Sequence, residues 1–327
     1  MKFTRRLGET QAATQYPLEI HDRAQWQALG SGLWQTQIDL GDLPTNQIVI
    51  PSFALIGSEH RYQFLLLHSG GANILRALPA TTDPSRLFTD HSENSPMVSD
   101  HIDCWHSDTT IKEARLLLRV ECKTQPRNYL CVVSTRPLEI LSEFPSVGSV
   151  TLEQPPAISQ MAATEDIRNR ICSPTALAMA LAYLRKLHDI KHHSKLWSEL
   201  TKGCYDPVTK AYGMWPQAIY QASRLNCLAA VECNTDWSSI EHALTRQTPV
   251  ICSIRFESGE LETSPLDRSA GHLLLVYGIN EDSVLAMDPA AADATNVARV
   301  YDRQQFSAAW LRHRGAAYYF GKPTTHR

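Results

Sequence analysis

The stretch that most constrains the fold is Ile171-Cys172-Ser173-Pro174-Thr175-Ala176-Leu177-Ala178-Met179-Ala180-Leu181. Its second half consists of strong helix formers, and Ser173-Pro174 reads as a start signal. Serine makes a good N-cap, and proline suits the first helical position, where its missing N–H costs nothing. The expectation is a helix from there to about His188, with Leu177, Leu181, Leu184 and His188 recurring on one face that packs into a core. Cys172 then sits at the positive end of the helix dipole, which favours thiolate over thiol. Two readings stay open at this point: an activated nucleophile, or a small buried residue that precedes a helix.

Partners for such a chain are bounded by its charge. With 43% hydrophobic and 20% charged residues and a net charge of −3, nothing points to nucleic acid or an anionic membrane. Lys2, Arg5 and Arg6 are not followed by an apolar segment, so no signal peptide is read. The longest apolar runs, such as Leu273–Tyr277, are strand length, so no membrane segment is expected and the expected location is cytoplasmic. The eight cysteines (Cys104, Cys122, Cys131, Cys172, Cys204, Cys227, Cys233 and Cys252) form no Cys-x-x-Cys pair, which fits free thiols in a reducing compartment. Cys131 and Cys252 lie in strand-like runs and are expected in the core.

A length of 327 residues allows about two domains. Residues 1 to about 30 read as an irregular lead-in. From Leu33 to Thr135 the signals are β: Gln47–Ile50, Tyr62–His68, Ala114–Glu121 and Tyr129–Ser134 are short apolar or alternating runs, and Ser69-Gly70-Gly71 reads as a turn. Pro79–Ser99 is loop-like. This half reads as a sandwich-like all-β domain over 1–150, serving as an accessory or substrate-binding part. Glu139–Pro156, punctuated by Pro145, Gly148, Pro155 and Pro156, is the expected linker. After the Cys172 helix come helices at Pro216–Leu225 and Ser238–Arg246, the latter capped by Asp236 or Ser238. Strands Pro249–Phe256, His272–Ile279 and Val284–Asp288, a helix Gln304–Arg312 and a strand Ala316–Phe320 complete residues 151–327. Helices followed by consecutive strands make an α+β pattern.

A cysteine nucleophile needs a base and a group that orients it. Of the thirteen histidines, His192-His193 lie in a Lys-rich stretch and His313 and His326 sit near arginines, all reading as surface. His272 instead opens the most apolar run of the chain, Leu273–Tyr277. If His272–Ile279 and Val284–Asp288 form a hairpin through Asn280–Ser283, His272 and Asp288 share one end, and a carboxylate there can hold the imidazole's tautomer. The alternatives are a satisfied strand-end histidine and an Asp-Pro strand terminator. Acyl transfer also needs an oxyanion donor. Gln160, upstream of the cysteine, is the candidate, provided that the loop Ala163–Arg170 folds back; otherwise it is an exposed loop residue.

These motifs resemble the bacterial C39-like cysteine peptidases, of the kind with an N-terminal β domain. Ser159-Gln160-Met161 and Cys172-Ser173-Pro174-Thr175 are similar to the opening motif of that family. Gly213-Met214-Trp215-Pro216 is similar to its Gly-Asn-Trp-Pro element. Gly271-His272-Leu273-Leu274, Asp288-Pro289-Ala290 and Arg299-Val300-Tyr301-Asp302-Arg303 with Phe306 and Trp310 are similar to its later segments. The similarity covers nearly all of residues 155 to 320 and is weak before them. It implies a papain-like fold with Cys172 as nucleophile, His272 as general base, Asp288 as orienter and Gln160 in the oxyanion hole. It implies that Trp215, Met214 and Gly271 line the substrate cleft, with a core tryptophan as the commoner alternative for Trp215, and it brings in no cofactor. Met214 departs from the family's asparagine, and the loop between Gln160 and Cys172 is slightly long. The substrate would be a peptide or protein. The same acyl-enzyme passed to an amine or thiol would make a transferase, and a non-catalytic peptide-binding module is the third reading. Neither a His-Glu-x-x-His motif nor zinc-ligand spacing is present, so no metal is implied. No Gly-x-Ser-x-Gly elbow points to a serine hydrolase.

Overall fold

The computed structural model describes residues 3–6, 18–19, 24–82, 87–88, 95–140 and 147–321. Before residue 140 the described chain is entirely β: β1 (Phe3–Arg6), β2 (Gln27–Gly30), β3 (Leu33–Leu43), β4 (Gln47–Leu55), β5 (Arg61–His68), β6 (Gly71–Ile74), β7 (Val98–Asp100), β8 (Trp105–Ser107), β9 (Ile111–Glu121) and β10 (Tyr129–Pro137). They form two antiparallel sheets, ordered β1-β10-β4-β8-β7 and β2-β3-β9-β5-β6. The lead-in therefore contains two strands, where an irregular segment was expected. Parts of it, of Pro79–Ser99 and of the Glu139–Pro156 linker fall outside the described residues.

Side-chain alternation explains how β4 and β10 serve two cores at once. Successive residues of a strand point to opposite faces. Val49, Phe53 and Leu55 of β4 and Tyr129, Cys131 and Val133 of β10 join Phe64, Leu66, Leu116 and Leu118 in a core shared by the two sheets. Ile48, Ile50 and Ala54 of β4, with Leu130 and Val132 of β10, point the other way, into the core of the C-terminal part. Both strands are buried along nearly their whole length and on both faces.

The C-terminal part begins with β11 (Val150–Thr151), inside the expected linker. It continues through α1 (Cys172–Leu184), α2 (Ile190–Cys204), α3 (Trp215–Arg224), β12 (Ala229–Cys233), α4 (Ser238–Thr245), β13 (Val250–Phe256), β14 (Ser269–Ile279), β15 (Ser283–Met287), β16 (Ala298–Asp302), α5 (Arg303–Leu311) and β17 (Ala316–Phe320). Its antiparallel sheet runs β12-β17-β13-β14-β15-β16, with β11 pairing β14. The molecule is thus a mixed α/β structure with several antiparallel sheets.

The sequence-based elements near the site hold, with three corrections. First, α1 starts at Cys172 itself: Ile171 occupies the cap position, and Ser173 makes no capping bond. Second, α1 is not amphipathic, because Ser173 through Ala182 are all buried between β13 and β14 on one side and α2 and α3 on the other. Third, it stops at Leu184, not His188. Lys186 takes a left-handed φ of 52°, and the N–H groups of Lys186 and Leu187 bond back to Tyr183 and Ala182, which closes the helix end. The stretch with His192-His193 forms the unexpected α2, which covers α1 through Leu196, Leu200 and Cys204 and through a 2.8 Å bond from Trp197 Nε1 to Thr175 Oγ1.

The junction between the two parts is polar as well as apolar. Ser52 Oγ accepts the Val231 N–H at 2.9 Å and Ser134 Oγ accepts the Cys233 N–H at 3.1 Å, so two serines of the β4–β10 pair satisfy strand β12. Beside them Arg136 is fully buried, its guanidinium donating to the carbonyls of Asn234, Leu138, Leu311 and His313. Gly315, at φ 57°, is required there: a Cβ would lie 2.3 Å from Asn234 O and 2.6 Å from Arg136 Nη1. A second crossing ion pair joins Arg76 to the buried Asp206.

Candidate active site

The β14–β15 hairpin is the frame of the site. Leu275 pairs with Met287, and Asn280–Ser283 forms the turn, so His272 and Asp288 come out at the same end. His272 is 2% exposed and Asp288 is fully buried. His272 Nε2 lies 2.8 Å from Asp288 Oδ1. The other ring nitrogen, Nδ1, is left for the Cys172 sulfur, and imidazole and sulfur act on each other's charge. The backbone N–H groups of Leu273 and Ser173 approach the same sulfur. Cys172 is half-buried, whereas the other seven cysteines are buried.

The electrostatics follow from this arrangement. Burial is the largest single influence on Cys172 and pushes its thiol up. The His272 hydrogen bond and charge, with the two N–H groups, outweigh it and leave the thiol below its ordinary value. Burial works against a charged His272 too, but the Asp288 carboxylate and the Cys172 sulfur together raise its pKa. Asp288 is held below the usual carboxylate range despite burial, by His272, Tyr301 and the Ala290 N–H. All three shifts favour the same charge state: thiolate, imidazolium and carboxylate.

Asp288 is fixed from every side. Its own N–H bonds to Val297 O at 2.7 Å. Oδ1 accepts the Ala290 N–H at 2.9 Å, and Oδ2 accepts the Tyr301 hydroxyl at 2.6 Å. Tyr301 is the residue that sequence reasoning passed over. It stands in a quoted motif, but no spacing rule joins a residue of β16 to one just past β15.

The loop carrying Gln160 is fastened to this turn. The Gln160 N–H donates to Pro289 O at 2.8 Å, and Ser159 Oγ donates to Ala291 O at 2.5 Å. Gln160 is 4% exposed, and its side-chain oxygen has no partner among the described residues. The chain after it does fold back: Gln160 is tied to the residue that follows Asp288, and the loop through Arg170 leads directly into α1.

The three remaining residues are placed differently. Met214 is 3% exposed in the core of the N-terminal sheets, with Arg76 Nη2 3.2 Å from its sulfur. Trp215 is 5% exposed, with the Arg314 guanidinium 5.5 Å from its ring centre. Gly271 is exposed beside His272, and a Cβ there would meet nothing within 4 Å. A cavity of about 800 Å³ at the far end of α1, lined by Tyr183, Lys186 and His188 among others, contains none of these groups. Among the described residues no helix is long and apolar enough to cross a membrane.

Comparison with known proteins bears on the C-terminal part of the chain. No curated protein matches the chain. A crystal structure of a candidate C39-like peptidase from Bacillus anthracis aligns at 18% identity with a TM-score of 0.39, covering 55% of this chain and 100% of that one. The sequence profile of the peptidase C39-like family matches residues 153–318, just over half of the chain and every residue of the constellation around Cys172. The chain belongs to the peptidase C39-like family.

Proposed function

We propose that the protein is a thiol-dependent hydrolase of peptide bonds, a cysteine peptidase working on Cys172. In this reading residues 151–327 form a catalytic domain of papain-like fold, and residues 1–150 a sandwich-like β domain that buttresses it. The observation that carries the proposal is the buried imidazole of His272, bonded to Asp288 and electrostatically paired with the one cysteine that is not buried. A histidine placed between a carboxylate and a thiol has the arrangement that proton transfer to and from sulfur needs.

The chemistry follows in two halves. The Cys172 thiolate attacks the scissile carbonyl carbon, and the negative charge that develops on the oxygen is met by the Cys172 N–H at the helix N-terminus and the Gln160 side chain. His272, charged at this stage, gives its Nδ1 proton to the departing amine, which leaves an acyl-enzyme. Water, deprotonated by the now neutral imidazole, attacks the thioester and releases the acid and the Cys172 thiolate, so that the thiolate–imidazolium pair is restored. Asp288 stays ionised throughout and stabilises the imidazolium.

The test is labelling with a thiol-directed acylating probe, together with hydrolysis of a peptide library. Wild type is expected to label at Cys172 and cleave, Cys172→Ala to do neither, and His272→Ala to label at least tenfold more slowly near pH 6, where an ordinary thiol is protonated. Equal labelling of all three proteins would overturn the proposal. Product analysis with added amines reports whether water or an amine takes the acyl group.

A further inference from the structure

Tyr301 is not among the four residues given roles above, yet its phenol completes the hydrogen bonding of the carboxylate at the centre of the site. The two oxygens of Asp288 are differently engaged. Oδ1 carries His272 Nε2 and the Ala290 N–H, at 2.8 and 2.9 Å, while Oδ2 carries the Tyr301 hydroxyl at 2.6 Å. With Oδ1 occupied twice, Oδ2 is where a proton or a rotation of the carboxylate would begin, and that is the atom the phenol covers. The backbone beneath the phenol is fixed by the β15–β16 ladder, in which Tyr301 pairs with Val284. Its ring packs against Phe306, with centroids 5.8 Å apart. The half-buried Ser264 also lies near the phenol. Burial and the neighbouring carboxylate push the phenol's own ionisation far above its ordinary range, so it remains a donor at any working pH.

We infer that Tyr301 is a positioning residue for the chemistry of Cys172: its hydroxyl keeps Asp288 ionised and turned so that Oδ1 stays on His272. The inference rests on the proposed function. A donor bonded to a carboxylate favours the charged form and delays its protonation as the pH falls. Without that donor, Asp288 takes up a proton at a higher pH. The imidazolium then loses its counter-charge and the thiolate loses the imidazolium. The consequence should be read at the sulfur, which lies beyond both Asp288 and His272 from the phenol.

The experiment measures the rate of Cys172 alkylation by iodoacetamide as a function of pH in wild type, Tyr301→Phe and His272→Ala. Phenylalanine keeps the ring and its contact with Phe306 and removes only the hydroxyl. Tyr301→Phe is expected to move the acid limb of the profile upward by about 1 to 2 pH units, the equivalent of one hydrogen bond to a charged group. An acid limb that coincides with that of wild type, in a wild type whose limb depends on His272, would overturn the positioning role and leave the proposed function standing. A wild-type profile that follows an ordinary thiol and ignores His272→Ala would overturn both. If Tyr301→Phe does not fold, 3-fluorotyrosine at position 301 supplies the opposite arm. Its more acidic phenol donates more strongly, so the limb should move downward, and a limb that stays in place overturns the role. A Tyr301 that only packs would change the melting temperature and leave the limb where it is.

Discussion

Two buried cations of this molecule are compensated in different ways. His272 at the end of β14 faces a carboxylate, Asp288, whose second oxygen is held by Tyr301. Arg136 at the end of β10 faces the carbonyls of Asn234, Leu138, Leu311 and His313, and among the described residues no carboxylate pairs with it. Burial lowers the Arg136 pKa to about 10, which still leaves it charged at neutral pH. The difference separates two tasks. A carboxylate and a thiol can exchange protons with an imidazole, so charge near His272 can move during a reaction. Carbonyl dipoles accept hydrogen bonds but take no proton, so Arg136 ties the end of β10 to the chain after β12 and to the end of α5. In the proposed function one centre transfers protons, whereas the other attaches.

The sharpest way to break this contrast is to remove the imidazole. His272→Ala is expected to lower peptide turnover by about 10²- to 10⁴-fold, the usual contribution of a positioned acid–base group. Without its neighbour, Cys172 is left with burial as the dominant influence, so alkylation near pH 6 should collapse as well. Thermal unfolding followed in parallel should show a folded protein. If alkylation at pH 6 survives the substitution, Cys172 is activated by something other than His272, and the two buried cations would not differ in task.

Much of the proton-transfer centre was legible in the sequence, because its parts lie on strongly patterned segments. Ser-Pro before an apolar run marks the start of α1, and Leu273–Tyr277 marks the strand that holds His272. Asn280–Ser283 marks the turn that returns the chain to Asp288. What escaped was mostly tertiary. Strand β12, Ala-Ala-Val-Glu-Cys, carries little strand signal, and it is buried by tertiary neighbours: β17 beside it, α3, and the β4–β10 pair with Ser52 and Ser134. Helix α2 offers a narrow stripe, Leu196, Leu200 and Cys204, among lysines and histidines. Its Asp189 cap was the one local sign of it. Tyr301 and Arg136 act through contacts between segments far apart in the chain, which no local period encodes. Met214 and Trp215 were read from a motif, and the motif does not say that the β sheets bury them.

The attachment centre predicts a loss of stability and not of chemistry. Arg136→Met fills similar space but leaves four carbonyls without their donor, at about 1 to 3 kcal/mol for each one that stays buried and unsatisfied. Partial relaxation keeps the total below the sum, so a loss of about 3 to 5 kcal/mol is expected in urea unfolding. The pH profile of Cys172 alkylation in the protein that remains folded should match wild type. A variant as stable as wild type would show that the carbonyls find other donors and that Arg136 attaches nothing.

Asp103 offers the smallest and finest test, because it combines both kinds of compensation. It is 4% exposed, and burial is the largest influence on it, raising its pKa to about 6. Opposing burial are the Arg314 guanidinium at 3.5 Å, the Cys104 thiol and the N–H of Trp215. A carboxyl whose folded pKa is raised contributes fully below its unfolded value of 3.8, and that contribution is lost as the pH climbs through about 6. Asp103→Asn does not titrate. The stability of the variant relative to wild type should therefore rise from pH 4 to pH 6 and then level off, by up to about 3 kcal/mol for a shift of roughly two pH units that already includes the pull of Arg314. The nearby His101 and His106 run the opposite way. Burial lowers both, so they cost stability as the pH falls below their unfolded value, and only the difference between the two proteins isolates Asp103. Chemical denaturation at a series of pH values measures that difference. A flat difference would mean that Arg314 cancels the burial cost and Asp103 is a settled ion pair. A difference that falls with pH would mean that Arg314 wins outright, so that at this junction a mobile charge attaches the two parts as firmly as the fixed dipoles around Arg136.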